Sequence, residues 1–437
     1  MTMLIVFCSI LLLVLLITWG KFNPFLAFLI VSILAGLCLG IPLSGILTSV
    51  KKGMGDMLGD LVIIICLGAM LGKLVAESGA AQQISGVLMR VFGKRYFVWA
   101  MMLTGFIVGI PLFYNVGFVL LIPLIFSVVY ETRLPAVYVG LPMLSALSVT
   151  HGFLPPHPSP SALVAQFHAD MGHTLLYGLV IAVPAVVLAG PVFAQTLKKI
   201  PSRPLKTFEP RQLPAEQLPG TLNSFVSSLL PVLLLILTTA VPYFWKPAGL
   251  GKELLTFASD PAVVMLICLL VTTWTLGIRG GQRLSAIMTY YGEAVKDVSL
   301  ILLIVAGAGA FKQVLVDSGV SDQIGALLTG WSVNPLLLGW LIASVIRVCI
   351  GSATVAGLTA AGIMLPVLTR THADPSLMVL SIGAGSLMFS HVNDGGFWLF
   401  KEYFNLSVKD TIRSWSLMET LIAVIGLGGV LILNIFV

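Results

Sequence analysis

Two short stretches carry the densest chemistry in the chain, THGFLPPHPSP at 150–160 and SHVNDGGFW at 390–398. Histidine titrates nearest neutrality and suits proton transfer, while Asp394 is a carboxylate and Thr150 and Asn393 are neutral hydrogen-bonding groups. Four prolines between positions 155 and 160, and the pair Gly395-Gly396, prevent either stretch from continuing as a regular helix. Each therefore leaves free carbonyls and amides beside His151, His157 or His391. Two further interruptions are FYNVG at 113–117, with Tyr114 and Asn115, and GSAT at 351–354, with Gly351, Ser352 and Thr354. Their small and hydroxylated residues let backbone amides approach a ligand, and a helix N-terminus there favours an anion. Arg347 lies four residues before GSAT, where its planar fork suits a carboxylate.

These groups sit inside apolar sequence. The chain of 437 residues is 58% hydrophobic and 10% charged, with a mean hydropathy of +1.03, whereas soluble domains carry roughly a quarter charged residues. An all-α polytopic membrane protein is the class this implies. The first apolar run lacks a basic leader and a small-residue cleavage site, and is read as a retained helix. Five cysteines lie inside apolar runs without metal-type spacing, so neither disulfides nor a metal site are expected. The net charge of +6 is scattered over loops, which argues for lipid as the surrounding partner and against nucleic acid.

The order of long and short apolar stretches repeats in the two halves. At an offset of 240 residues, Ser78-Gly79 falls on Ser318-Gly319, Gly117 on Gly357, Pro135 on Pro375, and Thr150-His151 on Ser390-His391. This spacing predicts a duplication, with repeats at 1–196 and 223–437 joined by a polar linker at 197–222. Each repeat is expected to hold a re-entrant hairpin, near 96–130 and 333–370, and a broken helix, near 135–168 and 375–404. An odd number of crossings per repeat inverts the second copy, giving about ten crossings plus two hairpins. With both termini outside, sixteen basic residues face the cytoplasm and five face out, in keeping with the positive-inside rule. Inverted repeats with broken helices are the signature of secondary transporters whose site lies near the midplane. No Walker motif is present, so ATP is not expected to drive the process directly.

LGAMLGKLVAESGAAQQI, SALSVTHGFLPPHPSPSALVAQFHADMG, GSATVAGLTAAGIMLP and SHVNDGGFWLFKEYFNLSVKDTIRSWSLMET closely resemble the gluconate:proton symporter family, and the likeness covers essentially the whole chain. The resemblance implies uptake of gluconate or a related sugar acid with protons across the bacterial inner membrane, so the termini that the charge bias places outside would be periplasmic. It also implies paired hairpins, an elevator motion and a homodimer, with no enzymatic activity and no cofactor. Arg347 and the amides of the Gly351 tip would hold the carboxylate. Tyr114, Asn115, Thr150, Ser352, Thr354 and Asn393 would face the hydroxyls, and His151, His391 or Asp394 would carry the proton. The resemblance departs at Asn115, where related members often have an acidic residue; an amide binds hydroxyls but carries no proton.

Three alternatives stay open at the level of sequence: a carrier of another small hydroxy- or amino-carboxylate such as D-serine, a sodium-coupled carboxylate symporter, and a membrane enzyme using histidine-bound zinc. The tips do not read Ser-Asn-Thr, which weakens the sodium reading, and no HExxH helix supports zinc. The remaining intramembrane charges, Asp60, Lys73, Glu77, Lys312 and Asp317, are expected to serve structure.

Overall fold

A computed structural model describes residues 2–110, 114–155, 157–208, 213–244, 248–320, 322–323, 333–371 and 373–437. Phe113 of FYNVG, together with residues 111 and 112, lies outside the described residues, as does the side chain of Asp60. No strand occurs among the described residues. The first half builds α1 (Thr2–Thr18), α2 (Pro24–Cys38), α3 (Leu43–Glu77), α4 (Ala80–Gly109), α5 (Tyr114–Thr132), α6 (Ala136–Phe153) and α7 (Pro158–Phe167), then α8 (Met171–Leu197). The second half builds α9 (Thr221–Phe244), α10 (Leu250–Ala258), α11 (Pro261–Ile278), α12 (Leu284–Asp317), α13 (Pro335–Ile350), α14 (Ala353–Leu368), α15 (Pro375–Gly385), α16 (Gly395–Tyr403) and α17 (Val408–Leu433). Seven of these are long and apolar enough to cross a membrane by length and composition: α3, α5, α6, α8, α11, α12 and α17. The apolar residues exposed on α1 and α8, such as Leu4, Phe7, Leu176 and Val180, suit contact with lipid.

The frame is the crossing of α3 and α12, 35 and 34 residues long. At 1.5 Å rise per residue each extends about 50 Å, well beyond a hydrocarbon core of about 30 Å. The two pack along much of their length because small residues let their backbones meet. A Cβ added at Gly53 would lie 2.6 Å from Gln313 Cβ, and one at Gly309 would lie 2.7 Å from Met57 Cβ. Lys73 pairs with Glu77 at 3.2 Å and Glu293 at 3.5 Å, while Asp317 accepts from Gln313 Nε2 at 2.8 Å. Of these contacts the Lys73–Glu293 pair joins α3 to α12, and the other two lie within single helices.

Behind this frame, α6 and α15 are apolar around their whole circumference and buried around it too. Both end at the motifs first singled out. Pro155 and its neighbours separate α6 from α7, whose N-cap is His157. Residues 386–394 separate α15 from α16, and Phe389 holds a positive φ of 43°. The expected hairpin at 333–370 contains α13 and α14, joined by Gly351 and Ser352. Gly351 has φ 78°, and a Cβ there would lie 2.6 Å from the Asn393 carbonyl carbon, so two constraints select glycine. In the first half α4 starts at Ala80, well before the apolar run near 96.

The polar linker is pinned down. Arg203 N donates to Phe404 O at 3.2 Å and Leu205 N to Tyr403 O at 3.2 Å. Thr207 hydrogen-bonds Asp297, and the Phe208 ring meets those of Phe126 and Tyr403. The linker thus straps α3, α5 and α12 to the end of α16.

Replacing Gly53 or Gly309 by leucine wedges the long crossing apart. The expected cost is about 1–3 kcal/mol, read as a lower melting temperature of the detergent-solubilised protein. An unchanged melting temperature for both variants would refute the close crossing.

Candidate functional site

Three helix N-termini converge on one cavity of about 680 Å³. Tyr114, Asn115 and Val116 come from the start of α5, Ser352, Ala353 and Thr354 from that of α14, and Gly395 and Gly396 from that of α16. A helix N-terminus leaves amides without intrahelical partners and carries the positive end of the helix dipole, an arrangement that favours an anion. Ser352 caps α14 by accepting from Val355 N at 3.4 Å, and Asp394 caps α16 by accepting from Gly396 N at 3.0 Å. Gly351, His151, Arg347 and Asp394 complete the expected lining.

At the centre, Arg347 Nη2 donates to Asp394 Oδ2 at 2.6 Å. Ser390 also donates to this carboxylate, and its hydroxyl oxygen accepts from Trp415 Nε1 at 2.8 Å. The arginine is 4% exposed, yet its Nε and Nη1 have no hydrogen-bond partner among the described residues. Buried donors are almost always satisfied, so the pair of free N–H groups marks a place for an acceptor. The ion pair thus engages one nitrogen of the fork and leaves two for a ligand.

The lining takes eight of the eleven residues expected from sequence, and three stand behind it. Thr150 is buried and donates to Leu147 O at 2.9 Å. His391 Nε2 lies 2.8 Å from Val348 O, and Asn393 Nδ2 donates to Val348 O at 2.8 Å and Cys349 O at 3.0 Å. Both residues satisfy carbonyls at the C-terminus of α13 and so hold the GSAT turn, a supporting role in place of the expected direct one. In the other half the comparable bond comes from His157, whose Nε2 lies 2.8 Å from Gly109 O at the end of α4. His151, the sequence counterpart of His391, faces the cavity with Nδ1 unpartnered and its ring 5.5 Å from that of His157. The repeat offset therefore pairs two histidines with different roles.

Among the lining residues that sequence reasoning did not pick, Ser148, Glu419, Trp415 and Lys312 carry polar groups. Ser148 Oγ donates to Glu419 Oε1 at 2.6 Å, and both line the cavity. The Trp415 ring lies 5.5 Å from that of Tyr114, tilted by 44°, and the Tyr114 hydroxyl is buried without a partner among the described residues. Lys312, expected to serve structure, also lines the cavity. The available signal for Glu419 was an acid inside an otherwise apolar run, where charge is expensive. Among the described residues no cluster of histidine, cysteine and carboxylate has the makings of a metal site.

The family model for GntP family permeases matches residues 1–436. The Escherichia coli (strain K12) high-affinity gluconate transporter is 45% identical over 438 residues, covering 100% of both chains. The Gnt-II system L-idonate transporter of the same organism is 44% identical over 435 residues, covering 99% of each. Gluconate permease from Bacillus licheniformis is 42% identical over 448 residues, with 100% of each chain covered.

The bond from His157 to the last turn of α4 makes a stability test possible. His157→Leu leaves the Gly109 carbonyl unpaired and is expected to cost about 1–3 kcal/mol, while His157→Gln, which retains a donor, recovers much of it. Melting temperatures of the two purified variants measure this, and equal losses would contradict it.

Proposed function

The chain belongs to the GntP family of permeases, and from that membership we propose that it imports gluconate or a closely related sugar acid together with protons across the bacterial inner membrane. The observation that carries this reading is the pair of unpartnered Arg347 nitrogens in a cavity ringed by three helix N-termini. A sugar acid presents one carboxylate and a row of hydroxyls. The carboxylate can accept from a free N–H of Arg347, on Nε or on Nη1. Asn115, Ser352 and Thr354, with the buried hydroxyl of Tyr114, suit the hydroxyls. The names of the gluconate and L-idonate relatives support an aldonate over an amino acid.

The transport cycle follows from the repeated architecture. α3 and α12 begin and end within one residue of the offset of 240, and a break follows each of α6 and α15, although by that offset α15 ends eight residues earlier. Two copies related by inversion would let one cavity open in turn to either side, with the α13–α14 hairpin re-entrant and its counterpart around Asn115. We read the motion as an elevator and the chain as a dimer, following the family resemblance, and both termini as periplasmic, following the charge bias. The driving ion is a proton bound by a titrating group of the cavity wall, which offsets the substrate charge during crossing. Of the histidines, His151 has the free nitrogen for such chemistry.

Purified protein in liposomes is expected to accumulate gluconate when the outside is made acidic, and not under a sodium gradient alone. Arg347→Lys keeps the charge and loses the fork. It is expected to raise the half-saturation concentration on the order of tenfold, equivalent to about 1.4 kcal/mol. Unchanged affinity would remove Arg347 from the carboxylate site.

A further inference from the structure

The transport reading leaves one buried acid without a task. Glu419 lies in α17, three residues after the π-helical turn Ile412–Ser416, and is 2% exposed. Its Oε1 accepts from Ser148 Oγ at 2.6 Å, while Oε2 has no partner among the described residues. No ion pair to Glu419 is present among the described residues, because Arg347 gives Nη2 to Asp394. A carboxylate at this depth with one neutral donor is expensive as an anion, and a proton on Oε2 relieves that cost.

Resting on the transport reading, we propose that Glu419 is the proton-binding residue of the cycle. One proton binds Oε2 on the outer side, turning the carboxylate into a neutral carboxylic acid that still accepts from Ser148. No other bond forms or breaks, and the proton leaves from the same atom on the inner side. The ionisable groups that share the cavity with Glu419 are His151 from α6, Tyr114 from α5, Arg347 from α13, Asp394 from the start of α16, Lys312 of α12 and Asp260 at the N-cap of α11. α15 contributes no ionisable group, and the histidine and tyrosine of α8, His173 and Tyr177, lie in its first two turns at the opposite end from the π turn packed on α6.

Asp394 is already committed to the cation and to two further donors, so its charge is matched in either state of the cavity. Glu419 has no such match. A substrate carboxylate entering beside an anionic Glu419 meets a like charge in a low-dielectric space, whereas the protonated acid imposes none. Proton and sugar acid therefore favour each other's binding, and the coupling is reciprocal. The π turn supports this geometry: Ser416 Oγ donates to Ser390 O at 2.5 Å and Trp415 Nε1 to Ser390 Oγ. Those bonds fix the start of α17 against the break that bears Asp394.

Proton uptake accompanying gluconate binding is measured with a pH indicator in weakly buffered detergent solution, alongside affinity from pH 5 to 9. The wild-type chain is expected to take up about one proton per gluconate, with affinity falling up to tenfold per pH unit on the alkaline side. Glu419→Gln keeps the shape and the bond to Ser148. It is expected to abolish the proton uptake, flatten the pH profile to less than about twofold per unit, and abolish accumulation driven by an acidic exterior. His151→Gln is expected to keep proton uptake per gluconate bound, whatever its effect on gluconate affinity. Proton uptake that persists in E419Q, or disappears in H151Q instead, overturns the proposal, as does E419Q that folds with the wild-type melting temperature but binds no gluconate. A wild-type chain that binds no gluconate overturns the transport reading and this proposal together.

Discussion

The ion pair between Arg347 and Asp394 is the interaction on which the site depends. Neither partner is tolerable alone at this depth, since burying one unmatched charge costs several kcal/mol. Their bond joins the end of α13 to the start of α16, two elements that no continuous helix connects. The same carboxylate caps α16 through Gly396 and receives Ser390, which in turn receives the indole of Trp415. A single charge pair thus gathers the GSAT turn, the second helix break and the π turn of α17 around one space. Because the pair engages only part of the guanidinium, it positions the remaining donors rather than exhausting them.

Around that pair, the two halves solve one problem with different residues. A helix that ends inside an apolar protein exposes carbonyls that must find donors. At the end of α13 the donors are His391 and Asn393; at the end of α4 the donor is His157. The breaks are therefore fastened to the ends of the neighbouring helices. This fastening frees the opposite ends, the helix N-termini, to face the cavity. The linker adds a third fastening, through Thr207 and Phe208, between the long central helices and the end of α16.

Much of this was legible in the chain. Apolar runs separated by polar turns give helices directly, since backbone groups in lipid have no other way to be satisfied. Prolines at 155–160 and glycines at 395–396 mark the breaks because one removes a donor and the other loosens φ. Eight residues picked for their chemistry do line the cavity, because charged and amide groups rarely survive in apolar sequence unless something needs them. The offset of 240 residues also placed α3 over α12 to within one residue.

The failures share a physical cause. An offset compares positions along a chain, whereas a hydrogen bond depends on which way a ring points after the helices have turned. His151 and His391 match by number, but His391 points to a carbonyl and His151 to the cavity. Glu419 sits beside a run of serines and an arginine, which resembles a helix end at the membrane surface. Only packing against Ser148 of a helix 271 positions away buries it at the centre. Pattern and composition alone thus determined a membrane-embedded helical protein with a break after α6 and after α15 and an arginine buried in apolar sequence. Tertiary structure decided which groups were spent on one another and which stayed free, because that division depends on distances between segments remote in sequence.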